Sequence, residues 1–217
     1  TKGCQYVKFA PEGIDEFYGY WQPAISGPAP LLIHTPGYGA EMSAHPELVQ
    51  QGYNVLHINP LGYATPAGPD AAKQHDNNWP VLPDTIMNDA QKGYRNWLIN
   101  CIIAIRWAQT QPQVISDKIS FFGTSQGGGA SLLLGSVYSN RGARCVAADV
   151  PFLTNFPLAQ KLNISDAYNW IFQPLRNLPD NRRHWKAVGF IDTLSHAHRL
   201  NVPVLLTAGG SDPENIQ

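Results

Sequence analysis

The sequence predicts an α/β fold, a mostly parallel central sheet with helices on both faces, and three observations carry that expectation. Short apolar runs ended by proline or glycine alternate with helical patterns after a β-rich start. The runs at 31–34 and 54–59 are near-continuously apolar rather than alternating, as strands buried on both faces are. In mid-chain, a glycine-rich turn joins a strand directly to a helix. With 217 residues, 43% of them hydrophobic and 11% aromatic, the chain suits one domain, 1–217, around one core.

Taken in order, residues 5–9 and 16–22 read as two strands around a turn at Pro11-Glu12-Gly13. Leu31-Leu32-Ile33-His34 is ended by Pro36 and Gly37, and the run at 54–59 by Pro60 and Gly62. Between them Ser43 can cap a helix reaching Gln51, with Gly52 at its C-terminal end. A longer helix is expected over 88–111. Its Trp97, Cys101, Ile105 and Ala108 recur at three- and four-residue spacing, as a core-facing stripe should. Residues 119–122 then form a strand, 126–138 a helix, 145–149 and 204–208 two further strands, and 192–200 a helix before the last of them. Two segments break the rhythm. Residues 61–84 form a long loop with prolines at 66, 69, 80 and 83 and Pro60 at its entry, and loops of that length in compact domains are usually functional or mobile. Residues 152–188 have helical content without a strand and read as a cap-like insertion.

The run Phe121-Phe122-Gly123-Thr124-Ser125-Gln126-Gly127-Gly128-Gly129 places a G-x-S-x-G motif between a strand and a helix. That context marks the nucleophile elbow of the α/β-hydrolase fold. The serine must sit on a tight, strained turn to expose its hydroxyl, and side chains at 123 or 127 would meet neighbouring backbone. The turn also opens a helix, whose N–H groups and dipole favour developing negative charge. A phosphate loop would need a lysine that is absent, and a dinucleotide fingerprint would open the first strand–helix unit. Ser125 is therefore read as a catalytic nucleophile.

A serine at its ordinary pKa needs a base, an orienting acid and an oxyanion hole. In this fold the chain order is serine, acid, histidine. The run Val202-Pro203-Val204-Leu205-Leu206-Thr207-Ala208-Gly209-Gly210-Ser211-Asp212 supplies a strand, a small-residue turn and a carboxylate, so Asp212 is the expected acid and Asp149 the second choice. The backbone N–H of Gln126 is one expected oxyanion donor. Tyr38, in the turn His34-Thr35-Pro36-Gly37-Tyr38-Gly39, is the other. The seven histidines, at 34, 45, 57, 75, 184, 196 and 198, all precede Asp212. None sits where the fold puts its base, so the catalytic histidine is not identified within 1–217 and the domain reads as incomplete at its C-terminus. His34 and His57 read as core or supporting residues. His196 and His198, two apart on a helix, face different ways and make a poor metal pair. No metal site and no cofactor are expected.

These residues resemble the acetyl xylan esterase/cephalosporin-C deacetylase family across nearly the whole chain, from Tyr6-Val7-Lys8-Phe9 to Asp212. The sharpest part is Gly123-Thr124-Ser125-Gln126-Gly127-Gly128-Gly129, similar to the family's G-x-S-Q-G-G. Asp149-Val150-Pro151-Phe152-Leu153, Phe190-Ile191-Asp192, Asn201-Val202-Pro203-Val204-Leu205 and Pro36-Gly37-Tyr38-Gly39 are similar to further family segments. The resemblance implies hydrolysis of small acyl esters, chiefly acetyl groups on sugars or similar alcohols. It implies Ser125 as nucleophile, Asp212 as acid, and Tyr38 and Gln126 as oxyanion donors. Where the family has arginine-glycine-glutamine, this chain has Leu61-Gly62-Tyr63, and a diverged member is implied.

Two other readings stay open: a serine peptidase with the same elbow, and a non-catalytic protein of the same fold that lost its base. Net charge of −1 and a pI near 6.6 give no field for nucleic acid. No apolar stretch reaches membrane-spanning length, so the expected partner is a small-molecule ester, with a homo-oligomer left open. Three widely spaced cysteines, Cys4, Cys101 and Cys145, read as free thiols of a reducing, cytoplasmic compartment, or as one bridge such as Cys4–Cys145.

Overall fold

The computed structural model describes residues 3–37, 42–61, 64–65, 68–69, 81, 86–87, 93–164 and 166–210. Seven strands form one mixed sheet. In chain order they are β1 (Gln5–Phe9), β2 (Phe17–Gln22), β3 (Ala29–His34), β4 (Asn54–Asn59), β7 (Val114–Thr124), β8 (Ala143–Asp149) and β9 (Val204–Thr207). Their spatial order is β1-β2-β4-β3-β7-β8-β9. The first hairpin joins antiparallel, while every pair from β4 to β9 is parallel. Two short strands, β5 (Ala64–Thr65) and β6 (Gly68–Pro69), pair with each other inside the expected long loop. Most of the rest of that loop lies outside the described residues.

The central strands are buried almost throughout because both faces are covered, and β4 is buried at every position, its Asn54, His57 and Asn59 included. Leu31, Ile33, Leu56, Ile58 and Ile119 are fully buried. Helix α2 (Tyr94–Gln109) lays its expected stripe, Trp97, Cys101, Ile105 and Ala108, onto the sheet, all of it buried. Helix α3 (Gln126–Tyr138) follows β7, and α2 and α3 share one face of the sheet. Helix α1 (Pro46–Gln50) begins two residues later than a cap at Ser43 would start it. Pro46 occupies its first turn, where the missing N–H costs nothing, and His45 is its N-cap. Strand β7 is longer than the expected 119–122, because its N-terminal half continues past a register shift between Ala29 and Leu31 of β3.

Between β8 and β9 the chain is helical: α4 (Phe156–Leu162), α5 (Asp166–Arg176), α6 (Arg182–Gly189) and α7 (Thr193–His196), the last continued by a 3₁₀ turn at Ala197–Arg199. A run of rings, Phe152, Phe156, Tyr168, Phe172 and Trp185, holds these helices together at centroid distances of 4.5 to 6.4 Å. Trp185 therefore belongs to the packing, whereas Trp170 is exposed. The expected 192–200 helix starts one residue later, with Asp192 as its N-cap, and is α-helical only to His196, where the 3₁₀ turn takes over. That buried carboxylate accepts from Leu194 N at 2.9 Å, Asn155 N at 2.8 Å and Phe156 N at 2.9 Å, tying α7 to the start of α4. Asp192→Ala would strand buried donors, so it is expected to cost about 3 kcal/mol. Urea unfolding at neutral pH checks this; a loss below about 1 kcal/mol would remove the carboxylate from that role.

The three cysteines are free thiols. Burial raises Cys101 and the neighbouring Tyr94 hydroxyl well above their usual ranges, as suits core groups. No described helix is long and apolar enough to cross a membrane.

Candidate active site

The elbow forms where β7 ends and α3 begins. Ser125 has φ 57° and ψ −121°, a conformation that a residue with a side chain adopts only under constraint. The constraints are on both sides of it. Its N–H donates to Asp149 O at 2.9 Å, and its carbonyl accepts from Phe152 N at 2.9 Å and Gly129 N at 3.1 Å. The segment after β8, with Val150 and Leu153 also at positive φ, thus wraps the turn and fixes it.

The glycines are explained by what surrounds them. A Cβ on Gly123 would lie 2.7 Å from the Gly127 and Thr35 carbonyl oxygens. One on Gly127 would lie 2.8 Å from Pro36 O and closer still to Thr35 O. All of these are backbone atoms that cannot swing aside. The elbow is therefore pressed against the turn that leaves β3, and Thr35 locks the two together, donating to Gly127 O at 2.8 Å and contacting Ser131 Oγ at 3.1 Å.

Gln126 is buried and is the first residue of α3. The N–H groups of a helix's first turn point out along its axis, here toward the Ser125 side. Pro36 and Gly37 follow β3 as the sequence suggested, but Tyr38 lies outside the described residues, as does Asp212. Asp149, the second candidate acid, ends β8 one strand from Ser125. Its carboxylate accepts from Thr207 Oγ1 and, at 3.1 Å, from Thr124 Oγ1. It is committed to the tips of the neighbouring strands.

One grouping was not foreseen from the sequence. His34, His45 and His57 converge, with one ring nitrogen of each within 4.8 Å of the others. His34 Nδ1 lies 2.7 Å from His57 Nδ1 and 3.0 Å from His45 Nε2. The signal that could have found the pair is register: His34 and His57 are Cα partners on parallel β3 and β4. Burial, reinforced by the two neighbouring imidazoles, pushes His34 down to about 2, so it is neutral. Thr35 faces α3, and alternation puts His34 on the opposite face of the sheet. There His34 stacks on Phe122 at 4.7 Å.

The sequence from residue 7 to residue 214 matches the acetyl xylan esterase (AXE1) family. Among solved structures, acetyl xylan esterase 1 from Thermoanaerobacterium sp. JW/SL YS485 superposes with a TM-score of 0.75 at 22% identity, over 97% of this chain and 69% of that one. An acetyl xylan esterase from Paenibacillus sp. R4 gives 0.67 at 22% identity, over 94% and 71%. An acylaminoacyl peptidase from Pyrococcus horikoshii gives 0.64 at 18% identity, over 94% of this chain and 31% of that one. The mixed, mostly parallel sheet and the strained serine between β7 and α3 agree with these likenesses in fold, and the family match spans nearly all of the sequence. This chain belongs to the acetyl xylan esterase family and has the α/β-hydrolase fold.

Proposed function

We propose that the protein hydrolyses small acyl esters, of the acetyl type on sugars or similar alcohols, through an acyl-enzyme on Ser125. The observation that carries this is the Ser125 conformation. A side-chain-bearing residue is held at positive φ by three backbone hydrogen bonds, at the N-terminus of a helix and against a second turn. Strain of this kind costs roughly 1–3 kcal/mol and persists where the surroundings over-determine it. Here its effect is to present one hydroxyl.

In the proposed reaction, Ser125 Oγ attacks the ester carbonyl carbon and its proton passes to a histidine not identified among residues 1–217. Asp212 orients that histidine. The negative oxygen of the tetrahedral intermediate is held by the Gln126 N–H and by Tyr38. The carbon–oxygen bond to the alcohol breaks, and the alcohol leaves with the proton. Water then adds to the acyl carbonyl by the same route and restores Ser125.

A peptidase reading is favoured only by the fold likeness to acylaminoacyl peptidases. The two separate on substrate. The full-length protein is expected to hydrolyse p-nitrophenyl acetate and an acetylated xylose at least roughly a hundredfold faster, by kcat/KM, than an acylated alanine p-nitroanilide. Faster cleavage of the anilide would reverse the assignment.

A further inference from the structure

We propose that His34, His45 and His57 form a binding site for one divalent transition-metal ion of the zinc class, on the face of the sheet away from α3. The three side chains come from separate elements. His34 and His57 occupy paired positions on β3 and β4, and His45 is the N-cap of α1. His34 and His57 are buried and His45 is half-buried.

The arrangement of protons favours a cation. His45 turns Nδ1 toward the Glu47 carboxylate, 3.5 Å from Oε1, and Nε2 toward His34. With its proton on the Glu47 side, His45 offers a lone pair to the cluster. The same carboxylate–histidine pairing orients imidazole ligands at metal sites. His34 Nδ1 then faces two ring nitrogens, His45 Nε2 and His57 Nδ1, and one N–H shared between two acceptors is the most that a neutral cluster can place there. A divalent ion gives each of the three nitrogens its own bond, with the His34 proton moving to Nε2.

The distances are close to what such an ion needs. Metal–nitrogen bonds of about 2.0–2.1 Å in a tetrahedral site put ligand nitrogens about 3.3 Å apart. The two separations through His34 are 2.7 and 3.0 Å, and the His45–His57 pair lies within 4.8 Å, so ring rotations bring the three toward that spacing. Three neutral nitrogens suit zinc, cobalt, nickel or copper rather than calcium or magnesium, which prefer oxygen. An entry path is present as well. A cavity of about 290 Å³ is lined by His34, His45, Phe122, Thr124, Asp149 and Thr207, among others, leaving room for a water as fourth ligand. Occupancy would tie α1 to β3 and β4 immediately below the turn against which the elbow packs.

Cobalt(II) is the direct probe. Chelator-treated full-length protein, titrated with cobalt chloride, is expected to develop the visible bands of tetrahedral, nitrogen-bound cobalt, saturating at one equivalent and bleached by zinc. His45→Gln is expected to lose the bands, and Glu47→Gln, at an exposed side chain, to weaken binding by roughly tenfold or more. A His196→Gln/His198→Gln double variant is expected to keep them. Zinc should raise Tm by about 2 °C or more in the wild type and not in His45→Gln. Absence of tetrahedral bands in the wild type would overturn the site. So would unchanged binding in both His45→Gln and Glu47→Gln. Circular dichroism shows that each variant is folded, and if His45→Gln is not, the Glu47→Gln affinity decides.

Discussion

Replacing Ser125 by alanine is expected to lower kcat for p-nitrophenyl acetate by roughly ten-thousandfold or more, with the fold and its stability kept. The magnitude follows from the proposed role. Without the hydroxyl there is no acyl-enzyme, and only the oxyanion donors and binding remain to accelerate direct attack by water. Stability should hold or rise slightly. Alanine keeps the Cβ that the turn already accommodates, and the hydrogen bonds fixing residue 125 all use its backbone. Ser125→Gly separates the contributions further. Glycine adopts positive φ without strain, so this variant should be at least as stable as wild type and equally inactive. A fall in kcat of less than about tenfold in Ser125→Ala would mean that the serine is only a turn residue.

The second large effect is expected at Gly127. A Cβ there meets the carbonyl oxygens of Thr35 and Pro36, and both sides of the contact are backbone. Either the turn after β3 retreats or the first turn of α3 does. Gly127→Ala should therefore cost about 3 kcal/mol, at the upper end of ordinary overpacking. If Ser125 is the nucleophile as proposed, the substitution should also lower kcat/KM by roughly a hundredfold or more, because a displacement of about an ångström between Ser125 and the opposing turn spoils the geometry of attack. Gly189→Ala is the comparison. Gly189 ends α6, and a methyl group added there would have nothing within 4 Å, so alanine should be neutral or stabilising by up to about 1 kcal/mol. If the two glycines behave alike, close packing of elbow and turn is not what position 127 requires.

Much of this architecture is legible in the residues because local and global signals agree. The stripe Trp97, Cys101, Ile105 and Ala108 repeats at helical spacing and is buried throughout. The run at 54–59 is bounded by turn residues and is a central strand over its expected length. Gly123 and Gly127 could be read as sterically required before any neighbour was known, since the elbow motif implies close backbone on both sides. What the sequence hides is pairing across distance. The partners of that close approach are the Thr35 and Pro36 carbonyls, roughly ninety positions earlier, and no spacing rule connects them. The histidine cluster is hidden for the same reason. His34, His45 and His57 have no short metal-ligand spacing, and only the parallel register of β3 with β4 and the return of the chain into α1 bring their rings together. Boundaries were shifted by single residues with strong preferences. Pro46 delays α1, and Asp192 sets the start of α7, which passes into a 3₁₀ turn after His196. Of the four expected site residues, Ser125 and Gln126 stand at the elbow as anticipated, while Tyr38 and Asp212 lie outside the described residues.

The most direct test of an activated Ser125 is covalent. The full-length protein would be treated with a fluorophosphonate and digested, and the peptide carrying the adduct read by mass spectrometry. The predicted result is one phosphonyl group per chain, on Ser125, formed with loss of fluoride and absent from Ser125→Ala. Unmodified Ser125 in folded protein, or equal labelling of Ser125→Ala, would contradict the proposed mechanism and leave the strained turn without the chemistry assigned to it.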